Sequence, residues 1–144
     1  MNNELRKNVR LNWLDSLFEF SHHEFQNKVW LKAEFEDYVS NYSEAICSYF
    51  DDLNMNDGFD WFMSEGFATQ EEFSLFDAVH RQLKEYAEHP EKQNLMDIDI
   101  LEDIEWIELT KNAKISWDKL KAIIKDKSEL YHMLDLENKY LIDK

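Results

Sequence analysis

The sequence predicts an all-α fold, a single-domain bundle of five or six helices. Its 144 residues include only two glycines and one proline, whereas strand-rich folds need many tight turns that depend on these residues. Apolar residues make up 44% of the chain, and among them are 5 Trp, 6 Tyr and 10 Phe, enough for a sizeable core. At this length the simplest domain count is one. We therefore expect one helical domain over residues 1–144, with frayed ends at about 1–3 and 137–144.

The first two helices are predicted over residues 4–20 and 22–31. Apolar residues of the first helix recur at three- and four-residue steps, at Leu5, Val9, Trp13, Leu17 and Phe20. Its basic residues, including Arg10, are expected on the opposite side. Ser21 and Glu24 have the spacing of a capping box, in which two backbone amides are satisfied reciprocally. This pair predicts the start of the second helix.

A third helix is predicted over residues 42–53, because Asn41 can accept a hydrogen bond from its first turn. Residues 54–58 have the composition of a loop. Residues 59–63 predict a short helix that ends before a glycine.

The longest regular pattern is predicted as a helix over residues 70–88. Thr69 and Glu72 form a second candidate capping box at its start. Pro90 disfavours helical backbone in the residue before it and so marks the end.

The last third of the chain is predicted as a connector over residues 91–99, a helix over 101–125 and a short helix from 128 to 134. Ser116 is a candidate cap that would interrupt the longer helix. The residues expected to be buried in that helix are Ile104, Ile107, Leu109, Ile115, Leu120 and Ile124.

The charge balance restricts the classes of partner. The formal net charge is −15, from 16 basic and 31 acidic residues, so bare nucleic acid and anionic membranes would be repelled and a basic protein attracted. Cys47 is the only cysteine, which excludes an internal disulfide. The N-terminal sequence has no apolar signal core, and no apolar run approaches the roughly 20 residues of a spanning helix. We expect a cytoplasmic protein without a membrane segment.

An acidic and aromatic stretch over residues 33–80 is the candidate binding region. It contains twelve carboxylates and no Lys or Arg, and interleaved aromatic residues are common interface anchors. The predicted binding residues are Glu34, Glu36, Asp37, Asp51, Asp52, Asp57, Asp60 and Glu65, with Phe59 and Trp61 as anchors. A second base-free cluster is an alternative binding face and comprises Asp97, Asp99, Glu102, Asp103, Glu105 and Glu108. That these carboxylates only solvate the surface also stays open.

Catalytic and metal sites are not predicted. A calcium-like loop that begins at Asp52 has Asp57 where the turn glycine belongs and Met63 where the bidentate glutamate belongs. Two Glu-x-x-His pairs match part of a di-iron motif, namely Glu19 with His22 and Glu129 with His132, and such pairs arise by chance in a chain this rich in Glu. Cys47 has acidic neighbours, which disfavour the thiolate. We expect no catalytic residue, no metal and no cofactor.

Short motifs resemble a family of small acidic all-helical bacterial immunity proteins. They are Glu24-Phe-Gln-Asn-Lys-Val-Trp30, Tyr42-Ser-Glu-Ala45 and Tyr49-Phe-Asp-Asp-Leu53, followed by a late Trp106. The similarity covers about residues 20–110. Proteins of this family belong to polymorphic-toxin and contact-dependent growth inhibition systems. The resemblance implies a cytoplasmic protein that binds and neutralises one cognate toxin.

The charge and the resemblance together predict a non-enzymatic immunity protein. Its expected partner is a basic toxin of the nuclease type, because nucleases bind phosphates, and its acidic surface would occlude the toxin's active-site cleft. Direct contact with nucleic acid or membrane is not expected. One alternative is an acidic nucleic-acid mimic that inhibits another DNA- or RNA-binding protein. Another is a self-assembling helical regulatory module.

Overall fold

The structure is a computed structural model that describes residues 2–141, and these residues form helices without any β-strand. The α-helices are α1 Asn3–Ser21, α2 His23–Gln26, α3 Tyr42–Cys47, α4 Phe59–Ser64, α5 Gln70–Glu88, α6 Asp97–Glu102, α7 Ile104–Ile123 and α8 Lys127–Tyr140. π-Helical turns continue α2 over Asn27–Leu31 and α3 over Ser48–Asp52, and 3₁₀ turns lie at Met55–Asp57 and Pro90–Lys92. The all-α class is confirmed, but five or six helices is too few for the described residues.

The helices α1, α5 and α8 start at the same end of the bundle, and α7 runs between them in the opposite direction. Arg10 of α1 contacts Glu72 and Glu129. These two carboxylates lie in the first turns of α5 and α8. Ser116 of α7 reaches back to the carbonyl of Leu75 in α5. We call the opposite end, which holds α2, α6 and the start of α7, the α6 end.

The core is a continuous set of buried aromatic and aliphatic side chains. Its largest fully buried members are Trp13, Trp106 and Trp117. Trp117 of α7 packs against Phe18 of α1 with ring centroids 5.6 Å apart, and Phe18 also meets Tyr140 of α8 at 6.2 Å. Aromatic rings thus join α1, α7 and α8. Within residues 2–141, no helix has both the length and the apolar character needed to cross a membrane.

Two of the four predicted caps are confirmed. The Asn41 side chain accepts from the Glu44 amide at 2.8 Å, and Thr69 and Glu72 make both hydrogen bonds of a capping box. The Ser21 capping box is wrong. The Ser21 hydroxyl instead donates to the carbonyl of Leu17 at 2.6 Å, because α1 continues through this residue.

Several predicted orientations on α1 and α7 are wrong. Arg10 was expected on the solvent side but is only 3% exposed, because two carboxylates receive its guanidinium in the core. Leu5, Ile104 and Ile115 were expected inside but are exposed. For Ile104 the reason is local. Asp103 ends α6 and caps α7 by accepting from the Glu105 amide, so the predicted single helix is broken and its phase changes there.

The C-terminal part is more regular than predicted. Helix α7 runs through Ser116 without interruption, and the Ser116 hydroxyl donates to the Leu75 carbonyl at 2.7 Å. Helix α8 extends to Tyr140, whose ring packs on Phe25 with centroids 5.2 Å apart. Residues 137–140 are therefore not frayed, and Asn2 caps α1. Residue 1 and residues 142–144, also predicted to fray, lie outside the described residues.

Candidate protein-binding surface

All eight carboxylates predicted to bind the partner are exposed: Glu34, Glu36, Asp37, Asp51, Asp52, Asp57, Asp60 and Glu65. The fold divides them into two groups. The residues of the loop between α2 and α3 lie beside α8, because Asp37 forms an ion pair with Lys139. Those from Asp51 onward lie on the side of α3, α4 and α5, where Asp51 and Lys84 line one groove. The predicted surface is two surfaces rather than one.

The first group is positioned by aromatic contacts. Phe35 and Tyr38 pack on the Tyr140 ring, with centroids 4.9 and 5.4 Å away. The hydrogen bond from Lys139 holds the pKa of Asp37 below its usual range. Residues 33–80 contain no Lys or Arg, but the fold places Lys139 of α8 beside Asp37. The lack of bases within residues 33–80 therefore does not leave Asp37 without a counter-charge.

The second group surrounds the turn that follows α3. The Asn56 amide donates to Asp51 at 3.0 Å, and the Asn54 amide donates to Asp57 at 2.8 Å. Asn54 has a φ of 60°, a left-handed conformation that asparagine adopts more readily than most residues. Met55 is buried and anchors the turn in the core. The turn therefore presents Asp51 and Asp57 from a backbone fixed by its own side chains.

The two predicted aromatic anchors have different environments. Phe59 is only 2% exposed and lies in the core beside Trp13, with centroids 6.2 Å apart. It is not available to a partner, so its prediction as an anchor is wrong. Trp61 is half-buried, and its ring centroid lies 6.4 Å from that of Phe67. Its exposed part leaves Trp61 as the aromatic candidate on this surface.

The second acidic cluster lies at the α6 end, and one of its members has a structural role. Asp103 accepts from Tyr86 at 2.8 Å and from Lys92 at 2.7 Å. Burial alone would raise the pKa of Asp103, but the hydrogen bonds from Lys92 and Tyr86 outweigh it and lower the pKa. Asp103 thus holds α5, α6 and α7 together, while Glu102, Glu105 and Glu108 point to solvent.

A buried ionic cluster, which the sequence did not reveal, ties α1 to α5 and α8. The Arg10 guanidinium donates to both oxygens of Glu72 at 2.9 and 2.8 Å and to both oxygens of Glu129 at 2.8 Å. Its remaining N–H donates to the Phe67 carbonyl at 2.8 Å. All five donors are therefore used. Since each partner is a protein group, the guanidinium has no donor left for a ligand.

The two Glu-x-x-His pairs do not converge. Glu19 accepts from Trp30 at 2.8 Å, and the His22 ring bonds the Phe18 carbonyl at 2.9 Å. Glu129 is engaged by Arg10, and His132 contacts Asp15 at 2.7 Å. Among residues 2–141, no group of three or more His, Cys, Asp or Glu side chains is arranged to hold a metal ion.

The Cys47 thiol is exposed, although a small side chain of this type is more often buried. The pKa of Cys47 is raised by desolvation and by the nearby carboxylates of Asp51 and Glu44. A raised pKa leaves little thiolate at neutral pH, and the thiolate is the nucleophilic form.

The ion pair between His132 and Asp15 predicts a stability contribution that disappears at high pH. The hydrogen bond to Asp15 raises the pKa of His132, so the contribution is complete below the unfolded pKa of about 6.5 and is lost as pH rises through the folded pKa. His132→Gln should lower the free energy of unfolding by up to about 1 kcal/mol at acidic pH and by much less at alkaline pH. Urea titrations of both proteins would measure this difference.

Comparing the variant with the parent at each pH cancels the opposite effect of the buried histidines. Burial lowers the pKa values of His22 and His80, so protonating them as pH falls below about 6.5 destabilises both proteins equally. Asp15→Asn is the matched variant and should reproduce the profile. A difference that grows toward alkaline pH would contradict the charged pair.

Neither a protein-family model nor a curated protein nor a solved structure matches this chain. The resemblance to immunity proteins therefore depends on its short motifs alone, and its functional content is a proposal.

Proposed function

We propose that this chain is an immunity protein that binds a basic, nuclease-type toxin and neutralises it by covering the active-site cleft. The observation that carries the proposal is the exposure of carboxylates in a chain of net charge −15. The eight carboxylates predicted from the sequence all face solvent. They are thus available to a partner that carries the opposite charge.

Electrostatic attraction supports this role in two ways. A strongly acidic surface raises the association rate with a basic protein and makes that rate sensitive to salt. Carboxylates can also occupy the positions where a nuclease holds phosphates. The chain needs no catalytic residue for this activity, because occlusion of the cleft is sufficient.

The uneven neutralisation of the carboxylates favours the surface that includes Asp51 and Asp57. Asp37 is already paired with Lys139, so part of its charge is compensated within the molecule. Asp51 and Asp57 accept hydrogen bonds from the neutral side-chain amides of Asn56 and Asn54. Their negative charge therefore remains available, and the half-buried Trp61 adds an apolar contact nearby in the chain.

A capture experiment tests the proposal. The tagged protein is incubated with a lysate of the producing organism at low and at high salt, and the captured protein is identified and assayed for DNase and RNase activity. We expect one basic protein, encoded beside this chain's gene, whose nuclease activity the chain suppresses. Many basic proteins, all released at high salt, would contradict the proposal. A DNA-binding protein without nuclease activity would indicate the nucleic-acid mimic, and only copies of the chain itself would indicate self-assembly.

Charge reversal at the favoured surface should slow binding to the captured protein. The variant Asp51→Lys with Asp52→Lys and Asp57→Lys is expected to reduce the association rate at least about tenfold at low salt, with a smaller salt dependence. Stopped-flow fluorescence would measure the rate. Circular dichroism should show unchanged helical content, because all three residues are exposed.

The matched control changes the net charge by the same amount elsewhere. Glu4, Glu71 and Asp135 are exposed on α1, α5 and α8, and their replacement by Lys should slow association much less. Equal slowing by both variants would mean that net charge, rather than this surface, governs binding.

A further inference from the structure

A groove of about 370 Å³ lies between the second half of α5 and the first half of α7, at the α6 end of the bundle. The residues that matter to its chemistry are Glu85, Tyr86, Ile104, Glu105, Glu108 and Leu109. The two walls of the groove are these two helices, which run antiparallel to each other. The α5 wall extends from Gln82 to His89, about two helical turns.

The floor of this groove is apolar. Tyr86 and Leu109 form it and are themselves buried. Ile104 stands at the edge and is 82% exposed, although isoleucine is among the residues most often found inside proteins. Ile104 thus adds exposed apolar surface at the edge of the groove.

The rim of the groove is acidic on both walls. Glu85 of α5 and Glu105 and Glu108 of α7 are exposed. Lys92 lies 3.6 Å from Glu105 but is bound more closely by Asp103 at 2.7 Å. Along the chain, residues 94–110 contain no Lys or Arg, so the groove retains a net negative charge.

Exposed lysines lie at the end of the bundle opposite the groove. Lys119 is in the last part of α7, Lys125 is in the loop after it and Lys127 begins α8. The acidic rim of the groove, in contrast, attracts an approaching basic protein. The groove is thus where a basic partner with an apolar stripe would dock.

We propose that the groove binds an amphipathic basic helix of the partner. Apolar side chains of that helix would pack on Ile104, and its Lys or Arg side chains would pair with the carboxylates of the rim. A third helix fits between two antiparallel helices because its ridges enter the groove between them. The inference rests on the proposed function for the basic character of the partner, and it adds the docking site and the shape of the docked segment.

A synthetic peptide tests the groove directly. The probe is a fluorescein-labelled peptide of about 14 residues, long enough for about four helical turns, with Leu at helical spacing on one face and Lys elsewhere. A shuffled peptide of the same composition places Leu on all faces. Fluorescence anisotropy should show at least tenfold tighter binding of the amphipathic peptide. Equal affinities would overturn the inference, because they would reflect charge alone.

Variants then locate the peptide. Ile104→Ala should weaken binding about fivefold to tenfold, and Glu105→Lys with Glu108→Lys at least tenfold. Ile115→Ala is the matched control, because Ile115 is 55% exposed on the same helix but does not line the groove, and it should change affinity less than twofold. Equal effects of Ile104→Ala and Ile115→Ala would place the peptide elsewhere and overturn the inference.

The same variants separate this inference from the proposed function. If the captured basic protein is sensitive to the Asp51, Asp52 and Asp57 reversal but insensitive to the Ile104 and Glu105 changes, the groove is refuted and the proposed function stands. If the peptide binds with the expected Ile104 dependence while no nuclease is captured, the groove stands and the immunity role is refuted.

Discussion

Replacing Arg10 by alanine is expected to lower the free energy of unfolding by about 3–5 kcal/mol. Arg10 is buried with Glu72 and Glu129, whose side chains are 5% and 4% exposed. Removing the guanidinium leaves two carboxylates close together in the core without a counter-charge, and it leaves the Phe67 carbonyl without this donor. Urea unfolding followed by circular dichroism would measure the loss.

The controls for Arg10 separate geometry from charge. Arg10→Lys keeps the positive charge but cannot form two bidentate pairs, so it should recover only part of the loss. Arg81→Ala removes an exposed ion pair with Asp77 in α5 and should cost less than about 1 kcal/mol. A loss below about 1 kcal/mol for Arg10→Ala would contradict the buried cluster.

Local patterns predicted most of the helices. The helix of residues 70–88 has the predicted bounds because its capping box and the following proline act within a few residues. The first helix differs from its prediction by one residue at each end. Apolar periodicity and caps are properties of short segments, so they can be recognised without knowledge of the fold.

Contacts between distant segments could not be predicted. Arg10, Glu72 and Glu129 are separated by more than 50 residues, and a charged side chain at the edge of an apolar stripe is ordinarily solvated. The break at Asp103 was missed for a related reason. One Asp103 oxygen caps α7 locally, and the other accepts hydrogen bonds from Tyr86 and Lys92, which only the folded chain brings together.

The candidate surface was predictable in composition but not in arrangement. Exposure of the acidic residues follows from the cost of burying unpaired charge, and all eight are exposed. The division into two groups depends on Lys139, which approaches Asp37 from the other end of the chain. The groove was missed because periodicity placed Ile104 in the core, whereas the new start of α7 turns it outward.

Replacing Trp106 by alanine is the second change expected to have a large effect, with a loss of about 3–5 kcal/mol in the free energy of unfolding. Trp106 is fully buried where α1, α2, α3 and α5 meet α7. Its ring lies 6.1 Å from Phe20, 5.5 Å from Tyr42 and 5.1 Å from Tyr86. Its indole N–H donates to the Gln26 side chain at 2.8 Å, so the substitution opens a cavity and removes a buried hydrogen bond.

Trp106→Phe distinguishes the two contributions. Phenylalanine fills part of the cavity but cannot donate to Gln26, whose amide is held in place by its own bond to the Glu19 carbonyl at 2.7 Å. Its oxygen would stay buried without this donor, which costs about 1–3 kcal/mol, so Trp106→Phe should lie between the alanine variant and the parent. Tyr131→Ala, at a site 65% exposed on α8, should change stability by less than about 0.5 kcal/mol. If Trp106→Phe with Gln26→Leu is as unstable as Trp106→Phe alone, the loss arises from packing, whereas recovery of stability in the double variant would assign it to the unsatisfied amide.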